Sequence, residues 1–207
     1  MRKGRYVIND EVADIDRITG LNWSIDGKNT VSVRWGWPRN GGVKLAAVFY
    51  ADSADEPLEK LLEDQQPVII TKDMDKSYAR PLDAARRVYR VFPAYFGEGK
   101  DIVILEQKDG TATDPIIKVV TVGYRLEYKP LTLSEYCRVH ITLSCSDLLP
   151  DGCAPAYSKY RDGARICEYP LPGASGAYVC YLKKNEEIKI YVPEEYSDNI
   201  ILVQEKS

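Results

Sequence analysis

The segment "YCRVHITLSC", Tyr136 to Cys145, places the only histidine of the chain between two of its five cysteines. Thiol, imidazole and hydroxyl groups this close in sequence suggest a metal site or an activated thiol. Read as a strand, the segment alternates. Cys137, Val139, Ile141, Leu143 and Cys145 fall on one face, and Arg138, His140, Thr142 and Ser144 fall on the other. At about 3.3 Å per residue the two cysteines stand roughly 26 Å apart. They neither bridge one another nor share an ion with His140. The segment therefore predicts core thiols and a surface histidine.

The remaining cysteines give no CxxC pair and no common zinc spacing, so no metal or cofactor is expected. Cys153 falls in the loop "LPDGCAP". Cys167 and Cys180 flank "PLPGASG"; if their strands form a hairpin, an oxidising setting would permit a disulfide between them. A serine or cysteine triad requires a base, and His140 has no nucleophile motif beside it. "FGEGK" is too short for a phosphate-binding loop and reads as a turn, and "PEEYSD" reads as a solvated one. A paired-carboxylate glycosidase is the one enzymatic class left open, and a small sandwich is an unusual host for it. The expectation is a protein without catalytic activity.

Those residues need a frame. A chain of 207 residues suits one large domain or two of about 100 residues each. Fifteen tyrosines against three phenylalanines and two methionines lean toward β structure. The formal net charge is −3 and neither half is strongly basic, which argues against nucleic acid and anionic membranes as partners. "MRKGRYVINDEVADIDRI" has no apolar run behind its basic start, and no apolar stretch approaches the ~20 residues of a membrane span. An odd cysteine count, with none before residue 137, points to a reducing, cytoplasmic compartment. A leader missing from the given sequence would make it extracellular.

Two segments about a hundred residues apart are alike: "VFPAYFGEGKDIVILEQK" from Val91 and "YVPEEYSDNIILVQEK" from Tyr191. They align Pro93 on Pro193 and Ile102-Val103-Ile104-Leu105 on Ile200-Ile201-Leu202-Val203. Each reads as strand, proline-marked turn and closing strand. The expectation is a tandem pair of β-sandwich domains, 1–110 and 114–207, joined in "QKDGTATDP". Period-two faces recur: Val31, Val33, Trp35 and Trp37; Val120, Val122, Tyr124, Leu126 and Tyr128; Ile188, Ile190 and Val192. "SADEPLEKLLEDQQ" predicts one short helix, with Ser53 or Asp55 as N-cap, Pro57 in its first turn and Leu58, Leu61 and Leu62 on one stripe.

"VSVRWGWPRNGGVKLAAVFYA" is similar to the early strands of fibronectin type III domains, where a strand-borne Trp precedes Pro, a turn and a strand ending in Tyr. "VYRVFPAYFGEGKDIVI" resembles that family's last two strands. The match covers about half of the first domain, with the helix as an insertion. The resemblance implies an immunoglobulin-like sandwich, and binding or spacing rather than catalysis. The second half resembles the family only through the repeat, and together they give the expectation of an all-β chain of two tandem immunoglobulin/fibronectin III-like sandwiches.

Candidate contact residues follow from type. Trp23, Trp35 and Trp37 alternate with aliphatic residues and are assigned to the core, which leaves tyrosines as exposed rings. "APAYSKYRDGAR" puts Tyr157, Tyr160, Arg161 and Arg165 in a loop region, a pairing common at interface hot spots. "SYARPLDAARRVYR" gathers Arg80, Arg86, Arg87 and Arg90, which suit an acidic partner or a charged strand edge. The function expected is a protein-interaction or scaffold module working through loops and strand edges. The alternative is an accessory carbohydrate-binding protein.

Overall fold

The computed structural model describes residues 5–73, 77–132, 134–145, 147–149 and 152–205. The chain is mostly β, with several sheets and a single α-helix among the described residues. No helix among them is long and apolar enough to cross a membrane. By contacts it divides into two compact units, 1–82 with 86–116, and 83–85 with 117–207.

The first unit has strands β1 (Tyr6–Asn9), β2 (Thr19–Ile25), β3 (Thr30–Gly36), β4 (Leu45–Ala51), β5 (Val68–Thr71), β6 (Ser77–Pro81), β7 (Arg86–Phe96) and β8 (Ile102–Leu105). One sheet runs β2-β3-β6 and the other runs β1-β8-β7-β4-β5. β1 lies parallel to β8, and the β7–β8 and β4–β7 pairs are antiparallel. Val31, Val33 and Trp35 of β3 pack with Ala46, Val48, Tyr89 and Val91 in one apolar cluster, which the period-two pattern of β3 dictates.

The long sheet carries a second cluster on its other face. Leu45, Ala47, Phe49, Phe92 and Ile104 meet Leu58 and Leu61 of helix α1 (Leu58–Asp64). The helix begins four residues later than Ser53 would set and two later than Asp55 would. Pro57 occupies the N-cap position without a side-chain cap, and Glu56 is held instead by Lys60 at 2.7 Å. Trp35 is buried as expected, but Trp23 is 37% exposed because β2 is an edge strand.

Two readings of the first unit change. Pro93 marks no turn and sits inside β7, opposite Ala46. The amides of Tyr89 and Val91 point away from β4, toward Thr113 and Thr111. Pro93 falls on that same side, between this contact and the β8 pairing, where a missing N–H removes nothing from the ladder. The stretch read as a linker is also packed. Gln107, Thr111 and Thr113 are buried, and Gln107 bonds both the amide and the carbonyl of Ile18.

Ile116 of β9 (Ile116–Ile117) belongs to the first unit's core. The second unit has β10 (Val120–Pro130), β11 (Tyr136–Cys145), β12 (Ala156–Arg161), β13 (Ala164–Pro170), β14 (Gly176–Lys183), β15 (Glu186–Tyr191) and β16 (Ile200–Gln204). One sheet runs β14-β11-β10-β16 and the other runs β13-β12-β15. Both units use one strand order. β2, β3 and β6 share a sheet as do β10, β11 and β14, and β5-β4-β7 matches β13-β12-β15. β8 and β16 each run parallel to the strand that opens their unit, and they differ in that β8 also joins β7.

Val139, Ile141 and Leu143 of β11 are buried with Val122, Cys180, Leu182, Ile188 and Cys153. β13 and β14 lie in different sheets, so Cys167 and Cys180 do not face each other in a hairpin. Cys167 lies opposite Lys159 and Cys180 opposite Val139, and all five thiols are unpaired.

Candidate functional site

The seven expected contact residues are divided between the two units, Arg86, Arg87 and Arg90 in the first and Tyr157, Tyr160, Arg161 and Arg165 in the second. Arg86, Arg87 and Arg90 lie on β7, which is an interior strand rather than a sheet edge. Arg90 is buried; its guanidinium donates to the Glu56 carbonyl at 2.7 Å and to the Thr111 hydroxyl at 3.3 Å, and it lies over Phe92. Burial pushes its pKa down, against the pull of Asp55, Glu106 and Glu56. Arg87 lies 5.7 Å over the Tyr50 ring and Arg86 is exposed.

The stretch Tyr157 to Arg165 is a β-hairpin, not a loop. Asp162 and Gly163, with φ of 51° and 80°, close a two-residue turn between β12 and β13. Strand alternation then splits the group. Tyr160 and Arg165 are register partners. Tyr157 points the other way, packed into the core and stacked on Tyr169 at 5.1 Å. Burial pushes its phenol up to about 12. Arg161 pairs with Glu186 at 2.5 Å.

A different surface collects apolar side chains. In "AYVCYL" Cys180 and Leu182 are buried while Val179 and Tyr181 face outward. In "IILV" Ile200 is buried and Leu202 packs on the core, while Ile201 and Val203 face outward. A strand that is apolar at both parities reads as one covered on both faces. On this sheet the second face is left open among the described residues of its own unit. Tyr136, Val179, Tyr181, Ile201 and Val203 are between 44% and 52% exposed. Between these side chains the outer face is polar: Thr121, Gly123, Thr142 and Ser144 toward one end and Arg125, Glu127 and His140 along the middle.

This face was missed in the sequence because one strand reading used only the better-patterned parity. The signal was present in the unbroken apolar runs of β14 and β16.

A groove of about 440 Å³ crosses the face, lined by Thr121, Gly123, Ser144, Cys145, Val203 and Glu205. A Cβ at Gly123 would displace the Glu205 carboxylate and the Ser144 hydroxyl, both exposed ends of flexible side chains. The Ser144 hydroxyl donates to Glu205 at 2.5 Å. His140 is on the same face but four residues along β11, roughly 13 Å away. The groove thus holds a serine given to a carboxylate, with no imidazole to take its proton. Three or more His, Cys, Asp or Glu side chains converge nowhere among the described residues as a metal site would need. The thiols of Cys153 and Cys180 are pushed up by burial, away from the thiolate that nucleophilic chemistry uses.

At the other end of the face, cations and rings interleave. Lys129, Arg138 and Tyr181 form one cross-strand row, and Tyr136 and Lys183 form the next. The Arg138 guanidinium lies 5.8 Å from the Tyr181 ring centre, and Lys183 Nζ lies 5.9 Å from that of Tyr136. The sequence matches no protein-family model and no curated protein.

Proposed function

We propose that the chain is a non-catalytic protein-interaction module of two immunoglobulin/fibronectin III-like sandwiches, and that a protein partner seats on the outer face of β14-β11-β10-β16. The shared strand order of the two units supports the sandwich reading. One observation carries the binding reading: β14 and β16 are apolar on both faces, and the outer face is bare of any covering element among the described residues of its own unit. Exposed apolar side chains on both edge strands of one sheet face favour an interaction site. Five cysteines, odd in number and clustered late in the chain, favour a cytoplasmic setting for the module.

The test is a selection of random displayed peptides against the full chain. Binding should fall at least tenfold in Val179→Asp/Tyr181→Ala, and should persist in Tyr160→Ala/Arg165→Ala. Binders indifferent to the first pair would defeat the reading.

A second reading, an accessory carbohydrate-binding protein, draws on one pocket in the first unit. Asn9, Glu11, Asp16, Asn40 and Tyr95 line about 270 Å³ over Val43 and Leu105. Amides, carboxylates and one ring are the groups that hold a sugar. Tyr95 resonances shifting on titration with methyl glycosides would favour it.

A further inference from the structure

We propose that the partner segment on this face is an acidic peptide, its carboxylates seated on Lys129, Arg138 and Lys183 and its apolar side chains on Tyr136, Val179 and Tyr181. The inference rests on the docking reading given above and adds the chemistry of the occupant. The three cations share two adjacent cross-strand rows of one sheet end.

None of the three side chains forms an ion pair among the described residues. The Arg138 Nε is buried without a hydrogen-bond partner. The face's own carboxylates are committed elsewhere, Glu127 to Arg125 at 3.3 Å and Glu205 to Ser144. An uncompensated positive end on a chain of net charge −3 is therefore local, and it complements an anionic segment. The rings beside it set the second requirement. Tyr181 and Tyr136 each offer a half-exposed face next to a cation, so an acidic residue flanked by an apolar one satisfies both. Three cations are few for a nucleic-acid strand.

The experiment uses the peptides recovered from the display selection, synthesised with a fluorophore and titrated into the full chain by anisotropy. They should be enriched in Asp and Glu. Their affinity should fall at least tenfold in Arg138→Glu and in Arg138→Gln/Lys183→Gln, with circular dichroism unchanged, and should fall again between 50 and 500 mM NaCl. Peptides that depend on Val179 and Tyr181 but carry no acidic excess and ignore both charge variants would overturn the acidic inference while leaving the docking face standing. Peptides that depend on neither set would overturn both. A 12-nucleotide oligothymidylate that displaces the peptides and binds more tightly than they do would overturn the inference in favour of nucleic acid.

Discussion

Asn199 ties together the second unit, and its removal has a cost that follows from its partners. The side chain is buried, and its Nδ2 donates to the carbonyl of Ala85 at 2.8 Å and to that of Lys118 at 2.9 Å. Ala85 belongs to the short segment 83–85 that packs with this unit. Replacing Asn199 by Ala strands both acceptors. The Ala85 oxygen retains the Lys118 amide at 3.0 Å, so its loss is partial. Orphaning a buried acceptor costs ~1–3 kcal/mol. One full and one half loss give about 1.5–4.5 kcal/mol. Urea unfolding, followed by a probe in the second unit, should show that loss with an unchanged slope. Hydrogen exchange at the Lys118 amide should quicken as the Ala85 carbonyl loosens. Asn199→Asp should cost at least as much, because it sets an oxygen against two carbonyls. A loss under about 0.5 kcal/mol, the range of ordinary surface substitutions, with Lys118 exchange unchanged, would refute the argument.

Other consequences are equally direct. Tyr157, with its phenol raised by burial to about 12, should contribute stability that is complete below the unfolded value near 10 and lost as pH rises from 10 toward 12; Tyr157→Phe should flatten that part of the stability profile. Iodoacetamide should label Cys137, Cys145 and Cys167 before Cys153 and Cys180, which are buried with raised pKa values; peptide mass spectrometry of the native protein gives the order. Leu61→Ala removes a fully buried side chain between α1 and the long sheet and should cost ~2–5 kcal/mol in the first unit by urea unfolding. Gly163→Val places a β-branched residue at φ 80° in the hairpin turn and should destabilise the second unit by more than Asp162→Asn, which tolerates that region.

Alternation was legible wherever one face of a strand is buried and the other is polar. β3, β10, β11 and β15 bury the parity that their patterns select, except that Tyr128 near the end of β10 is 53% exposed. The two similar segments do end on corresponding strands, since β8 and β16 each close a unit and each runs parallel to the strand that opens it. What the sequence could not give is the order of strands across a sheet. Whether β7 is an edge or interior strand depends on β4 and β8, each tens of residues away, so Arg90 read as surface charge although it is buried. The same gap put Trp23 in the core, where its face does point, but at a sheet edge that leaves it half-covered. The hairpin at Asp162-Gly163 was within reach, because Asp-Gly between two alternating runs is a strong turn signal. Tyr and Arg content drew attention away from it. The outer face of β14-β11-β10-β16 was half legible. The unbroken apolar runs of β14 and β16 signal apolar side chains at both parities, but which of them stay exposed depends on what else covers the sheet.

The most direct measurement is nuclear magnetic resonance shift mapping of the full chain bound to a display-selected peptide. The outer-face reading places the largest shifts on Tyr136, Arg138, Val179, Tyr181 and Ile201, with the buried side of the same strands and the Tyr160–Arg165 hairpin little changed. Shifts concentrated on that hairpin, or on the first unit, would contradict it.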